Sequence, residues 1–463
     1  GSAESAGMDA AGAGRALGRA TSALGRRCAR GLGAARGALR EAAVLARLTA
    51  TLARHLAAAP GQRWVLMAFR LAVFSLLLLP GFVQVALWYL FSRGVRRGVR
   101  FSPHPRNRAD VYLPPRKHAS QAPTVVFVTG GAWIIGHRAW GALLGRTLSA
   151  LGVVVACLDY RNFPQGGVGD MVEDVEAGLE WVLGNVHLYG GDRHNVHVIG
   201  QSAGAHLVAL ALLRRAAVVE GRGAELGSLG KRRRDRARIG WCPRDLQTFI
   251  GLSGGYHLPV VAEHLHQRGL YKPLFDAIMS DGSGRSGCLE DFSPALLVAQ
   301  EPFSPSGLGC GSRGAQETTS RSPSPSLRWA DIGAGGAGGS GDSPWTPPRG
   351  ARSPAPGPSP CVKCLPRVLL LHGTADKSMP CSQSLEFAQS LRSAGAMVDV
   401  SLYSGETHTT PLIENPMRGG VDQLTQDIWR VVAGKDEVPA HLPKPRALVP
   451  EALASLATFV SPF

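Results

Sequence analysis

The sequence predicts an α/β fold, a mainly parallel sheet covered by helices, on three observations. Short apolar runs recur along the chain at 124–129, 153–159, 196–200, 248–252, 368–371 and 398–403, several of them rich in Val. Helix-patterned stretches separate them: Met171, Val172, Val175, Leu179, Val182 and Leu183 share one face, as do Leu207, Leu210 and Leu213. A Gly-x-Ser-x-Gly turn stands where the third run gives way to a helix. Runs buried on both faces of a parallel sheet need not alternate polar with apolar residues, and helices between them supply the crossovers.

Around this catalytic part the chain divides by composition. Residues 1–63 form an Ala/Arg-rich leader, 64–92 a membrane segment, 101–302 and 361–463 the two parts of the α/β domain, and 303–360 an insertion. That insertion is Gly, Ser, Pro and Arg with almost no branched aliphatics, too little apolar surface to offset its ordering entropy, so disorder is expected. A basic loop at 231–236 reads as solvated surface. The net charge of +16 is concentrated in the first 108 residues, which hold 17 arginines against Glu4, Asp9 and Glu41. Because those arginines flank an apolar stretch, a membrane surface is the expected partner and nucleic acid is not. Val44, Leu45, Leu48, Leu52 and Leu56 share a helical face, as in a helix lying on an anionic surface; an organelle transit peptide is the alternative reading.

Residues 71–92 are 22 residues without a charge. A helix of that length spans roughly 30 Å, the hydrocarbon thickness of a bilayer. Trp64, Trp88 and Tyr89 lie near its ends, where amphipathic rings favour the interface. A transmembrane or membrane-anchoring helix is therefore expected, with Pro80-Gly81 kinking it or turning it into a re-entrant hairpin. Arginines on both flanks lean only weakly toward a cytosolic catalytic part.

Gly200-Gln201-Ser202-Ala203-Gly204 follows the run at 196–199 and opens a helix at 205–213. In that context G-x-S-x-G is the nucleophile elbow of an α/β-hydrolase fold, a sharp turn that exposes the Ser202 hydroxyl above the sheet. A hydroxyl needs a base and an orienting acid, which this fold supplies in the order Ser, acid, His from loops after later strands. Asp376 follows the run at 368–371 and His408 follows the run at 398–403, so both fit. His372, His206 and Glu406 are the competing titratable groups: His372 reads as a packing or loop residue, His206 as satisfied within its helix, and Glu406 stands too near His408 in sequence. The loop Thr129-Gly130-Gly131-Ala132-Trp133 occupies the place of an oxyanion hole. Backbone N–H groups of Gly131, Ala132 and Ala203 are the expected donors, one such donor being worth roughly 3 kcal/mol of barrier. Gly130, Trp133 and Gln201, beside them, are read as substrate-contacting, with Trp140, Phe163 and residues 258–270 as further lining of an apolar pocket. No metal or cofactor is expected. His264 and His266 lack a third ligand, and Cys361 and Cys364 have no second pair, so the scattered thiols fit a reducing compartment.

Six stretches carry a resemblance: GGAWIIGHRAWGALLGRTL (130–148), CLDYRNFPQGGVGDMVEDV (157–175), YGGDRHNVHVIGQSAGAH (189–206), LSGGYHL (252–258), LHGTADKSMP (371–380) and GETHTTPLIENPMRGG (405–420). They closely resemble isoprenylcysteine methylesterases, membrane-bound hydrolases of prenylated-protein methyl esters that are distantly similar to arylformamidases and to hormone-sensitive-lipase-type esterases. The likeness covers about 64–302 and 361–463, including PRNRADVYLP (105–114), and leaves out the leader and the insertion. It implies Ser202, Asp376 and His408 as a triad, and a prenylated protein or prenylcysteine methyl ester as substrate. It also implies residence at endoplasmic-reticulum or Golgi membranes. Thr129 stands where the wider esterase group has His, and the prenylcysteine branch similarly reads TGGAW. A lipase, carboxylesterase or arylformamidase-like hydrolase using the same triad is the alternative.

Overall fold

The computed structural model of the chain describes residues 63–115, 121–226, 240–270, 272–280, 289–300, 303, 359–440 and 445–463, with parts of a helix between 37 and 54. Most of the leader, the basic loop at 231–236 and nearly all of the expected insertion lie outside the described residues.

Two helices come first, α1 (Arg63–Leu77) and α2 (Leu79–Phe91), followed by the strands β1 (Val95–Arg100), β2 (Arg108–Tyr112) and β3 (Ala122–Val128). Then come α3 (Ala142–Ala150), β4 (Val154–Leu158), α4 (Val168–Asn185), β5 (Gly191–Gln201), α5 (Ala203–Val219), β6 (Thr248–Leu252) and α6 (Leu258–Gln267). The last part holds β7 (Arg367–Gly373), α7 (Ser382–Ser393), β8 (Val398–Tyr403), α8 (Glu414–Arg418), α9 (Gln423–Ala433) and α10 (Glu451–Val460). The strands form one sheet in the order β1-β2-β4-β3-β5-β6-β7-β8. Every neighbour pair from β4 to β8 is parallel, whereas β1–β2 and β2–β4 are antiparallel.

Strands β3 to β8 coincide with the six apolar runs, β5 beginning earlier, at Gly191. Their alternate residues feed two separate cores, as the period of two in a strand requires. Val126, Val128, Ala156 and Val198 face one side, where α4, α5 and α7 bring Met171, Leu179, Leu207, Leu210 and Phe387. Val125, Phe127, Val155 and Ile199 face the other, against Leu144 and Leu148 of α3 and Leu424 and Ile428 of α9. Strands β1 and β2 carry no apolar run. β1, VRRGVR, lies at the sheet edge with Arg96, Arg97 and Arg100 exposed, so its arginines had read as a basic flank.

An unbroken membrane-crossing helix is not what forms; the expected kink at Pro80-Gly81 is, and among the described residues only the bent pair of helices has the length and composition of a span. The apolar segment breaks at Leu78 into α1 and α2, bent by 68°, and no single helix among the described residues is long and apolar enough to cross a membrane. The cause is local and tertiary together. Pro80 stands in the first turn of α2, where a missing N–H costs nothing and starts a new helix. Gly81 lies against the Met417 sulfur and Val449. One stripe of the pair is buried: Phe74, Leu78, Val85 and Tyr89 join the second core. Tyr89 donates a hydrogen bond of 2.6 Å to Asp110 on β2, which accepts 2.9 Å from buried Arg138. The pair is thus an integral layer of the domain. Shortening the fully buried Leu78 to Ala leaves a cavity and is expected to lower stability by about 2–5 kcal/mol. Denaturant unfolding of Leu78→Ala in detergent checks this, and an unchanged midpoint would mean that α1 and α2 are not docked.

Candidate active site

The elbow is built from backbone strain and small residues. Ser202, between β5 and α5, has φ 54°, ψ −121°, a conformation that non-glycine residues rarely hold. Its N–H is tied to the Leu252 carbonyl at 2.8 Å, which fixes the turn on the neighbouring strand β6. The glycines on either side leave no alternative. A Cβ at Gly204 would strike the Val128 carbonyl, and one at Gly200 the Ala205 backbone. Ala203 is the first residue of α5, so its N–H is one of the donors that a helix start leaves without an intrahelical partner.

The ends of β7 and β8 bring Asp376 and His408 together. His408 Nδ1 lies 2.6 Å from Asp376 Oδ2, while Asp376 Oδ1 accepts the backbone N–H groups of Ser378 and Met379, both at 2.8 Å. His372 Nε2 approaches the same Oδ2 at 3.3 Å, held also by the Met379 carbonyl and, through Nδ1, by Ser384. His372 is therefore a supporting partner of the carboxylate. Burial by itself would push the Asp376 carboxyl up; His408 and His372 outweigh it and hold the group well below the usual carboxylate range. It stays ionised at neutral pH.

Gln201 links this pair to the elbow. Its Nε2 lies 3.3 Å from His408 Nε2, and its Oε1 accepts the Gly130 N–H at 3.1 Å. An amide nitrogen only donates, so His408 Nε2 is the acceptor and the imidazole proton sits on Nδ1, facing Asp376. An imidazole so held has its basic lone pair turned toward the serine turn. Sequence reading assigned Gln201 to substrate; in the fold it bridges the histidine and the Gly130 loop. Nothing in the local pattern announced this, because its two partners lie far away in the chain.

The loop after β3 carries three consecutive positive φ values, at Gly131 (121°), Ala132 (49°) and Trp133 (61°). Such strained backbone persists only where its surroundings over-determine it. Here the Gly131 carbonyl accepts from Ile134 and Ile135, and the Trp133 indole anchors the turn from beneath. Trp133 is fully buried, edge-on to His206 and Phe275, and its Nε1 donates to His206 Nδ1 at 3.2 Å. The expectation that its ring contacts substrate is corrected: an indole this large buries best in the core, and its N–H finds a partner there. His206 passes its own proton to the Phe292 carbonyl at 2.8 Å, and burial pulls its pKa down to about 4. The sequence reading of His206 as satisfied within its own helix is corrected: its two ring partners, Trp133 and Phe292, both lie outside α5. Leu258, Val261 and Ala262 of α6 are likewise core, while the Trp140 ring is exposed. Among the described residues no group of three His, Cys, Asp or Glu side chains is placed to hold a metal ion.

A family model named BD-FAE matches residues 109–231, and that of the prolyl oligopeptidase family matches residues 349–425. A protein of Oryza sativa subsp. japonica named "Probable isoprenylcysteine alpha-carbonyl methylesterase" is 38% identical over 92% of this chain and 84% of its own length. An Arabidopsis thaliana isoprenylcysteine alpha-carbonyl methylesterase is 36% identical over 87% of this chain and 78% of its own. The chain belongs to this methylesterase family. It is a carboxylic-ester hydrolase of the α/β-hydrolase fold. Esterase B of Lactobacillus rhamnosis, 15% identical, shares the fold at a TM-score of 0.50 over 79% of this chain and 96% of its own.

One further group near the methylesterase site carries a pH dependence. Glu414 of α8, six residues beyond His408, is buried; its Oε1 accepts the Thr409 hydroxyl at 3.0 Å and its Oε2 has no partner. Burial pushes its pKa up to about 7. A carboxyl raised on folding holds its proton better folded than unfolded, so it costs stability as pH rises from about 4.5 through 7. Glu414→Gln is expected to remove that loss, raising the melting temperature above pH 7 by roughly 2–4 °C and leaving it unchanged near pH 4. Thermal unfolding of both proteins across that range is the check; parallel curves would contradict it.

Proposed function

We propose that this methylesterase hydrolyses the α-carboxyl methyl ester of S-prenylated cysteine at a membrane surface, through an acyl intermediate on Ser202. The observation that carries the mechanism is the His408 imidazole, bound to Asp376 through Nδ1 and turned by Gln201 toward the elbow through Nε2. The names of the relatives supply the substrate class. Residence at endoplasmic-reticulum or Golgi membranes, with the catalytic part cytosolic, belongs to the same reading.

In the first half-reaction Ser202 Oγ attacks the ester carbonyl carbon as its proton passes to His408 Nε2, and Asp376 stabilises the imidazolium that forms. The amides of Gly131, Ala132 and Ala203 receive the negative charge on the carbonyl oxygen. The tetrahedral intermediate collapses, the methoxy oxygen takes the proton from His408, and methanol leaves. Water, deprotonated by the same imidazole, then attacks the acyl carbon and releases the free carboxylate and Ser202. Gln201 yields its contact with His408 Nε2 when the reacting groups arrive, a bond long enough at 3.3 Å to be given up cheaply.

Methanol release from S-farnesylcysteine methyl ester is expected to be lost in Ser202→Ala and to fall by about 10⁴-fold in Asp376→Asn, in which the histidine is left in the wrong tautomer. Wild-type rates in either variant contradict the triad, and a strong preference for short aryl esters contradicts the substrate. Gln201→Glu places a carboxylate beside His408 and favours its charged form. The acid limb of the kcat/KM profile is expected to move to higher pH, because the base must be neutral to act. An unmoved limb would show that residue 201 does not face the reacting histidine.

A further inference from the structure

The two N-terminal helices and the C-terminal helix share an uncommon pattern. Each buries one stripe in the second core and turns an apolar stripe outward. In α1 Phe74 is buried, as is Leu78 at the bend that follows it, and the outward residues are Leu66, Phe69 and Leu76. In α2 the buried residues are Gly81, Val85 and Tyr89, and Leu79, Val83 and Leu87 lie outward, with Phe91 exposed at its end. In α10 the buried residues are Ala454 and Ala457, and the outward ones Leu456 and Phe459, the latter 82% exposed. A helix resting on a water-facing domain carries polar residues on that side. Here α10 packs along α1 and α1 meets α2, so the three helices that carry these exposed residues form one packed group.

The surroundings say what covers it. Arg70, the charged residue within this apolar stretch, is half-buried and spends its guanidinium on the carbonyls of Val460 and Ser461, tying α1 to the end of α10. Arg93, Arg96, Arg97 and Arg100 are exposed directly after Phe91. An uncharged plane bordered by guanidinium groups matches hydrocarbon bordered by phosphates, whereas a second protein would need carboxylates opposite those arginines. The face also adjoins the catalytic end of the sheet. α8 follows the His408 loop and packs on α10, with Arg418 bonded to Glu451 and Thr458. Arg268, at the end of α6, donates 2.7 Å to the Pro462 carbonyl and lies close enough to Asp376 to feel its charge.

We propose that this apolar face of α1, α2 and α10 lies in the plane of an anionic bilayer, so that the chain docks on the lipid without threading a helix across it. This rests on the membrane-surface reading above and adds its geometry: the C-terminal helix is part of the anchor. A substrate whose hydrocarbon chain is dissolved in the same leaflet then approaches the His408 loop sideways, from the lipid.

The test is flotation of the full chain with vesicles of phosphatidylcholine alone and of phosphatidylcholine with phosphatidylserine. Hydrolysis of a water-soluble short-chain ester reports the fold in parallel. In-plane docking predicts that Leu456→Asp/Phe459→Asp weakens binding to both vesicles by about tenfold or more. Arg93→Gln/Arg96→Gln weakens it only on the anionic vesicles, by about fivefold for each arginine. Soluble-ester hydrolysis stays at the wild-type rate in both, and alkaline carbonate releases the wild type from vesicles. Should the double aspartate variant lose the soluble activity, Phe459→Ser replaces it. Wild-type vesicle binding by the α10 variants, or resistance of the wild type to carbonate, overturns the in-plane geometry and leaves the membrane reading standing. A wild type that ignores both vesicles overturns both, and self-association through this face would be the result if it dimerises instead.

Discussion

The Asp376 carboxylate is the point on which the described site turns. Buried between two histidines and two backbone amides, it keeps its charge only because those four donors replace the water it has lost. Its charge selects the His408 tautomer, and the tautomer leaves Nε2 as an acceptor, which Gln201 then meets from the serine turn. If that carboxylate were neutral, neither the ring orientation nor the bridge to the Gly130 loop would be specified. The ends of β5, β7 and β8 and the loop after β3 are otherwise independent pieces of chain. This hydrogen-bonded set is where they are held to one another.

A second constraint governs the rest of the molecule. The sheet has two faces and each must be covered. α4, α5 and α7 cover one; the other is covered by α3, α9, α10 and the pair α1–α2. The apolar N-terminal segment therefore serves two surroundings at once. Its inward stripe packs on the sheet side with Tyr89 locked to Asp110, and its outward stripe of apolar residues is exposed. A single long helix could not lie along the domain in this way. The bend before Pro80 lets both halves follow the surface, and Gly81 gives Met417 and Val449 room to close on it.

Much of this was legible beforehand. The six Val- and Leu-rich runs became β3 to β8, and the Gly-Gln-Ser-Ala-Gly turn took up the strand-to-helix bend that its small residues allow. Asp376 and His408 stand at the strand ends where the order of the motif placed them. What went unread has a common character. β1 lies at the antiparallel edge, where half its positions are exposed and arginines are tolerated, and the buried β2 beside it is five residues broken by Arg108 and Asp110, so no apolar run marks either. Trp133 looked like pocket lining because a Gly-rich loop and an aromatic next to a nucleophile suggest a ligand. Its partners, His206 and Phe275, are brought there only by α5 and the helix 272–278.

The sequence alone determined where the six apolar strands and the strained turn fall and which side chains stand at the strand ends around it. Those features depend on local periodicity, on glycine's small size and on residue type. Pro80 already marked where the uncharged stretch at 71–92 would bend; only the tertiary structure decided which of its stripes is buried, which way Gln201 points, and that α10 joins the N-terminal helices. Each of these is a contact between segments far apart in the chain. A length of apolar residues states how much surface must leave water, but only the packed domain determines which stripe goes against protein and which is left outward.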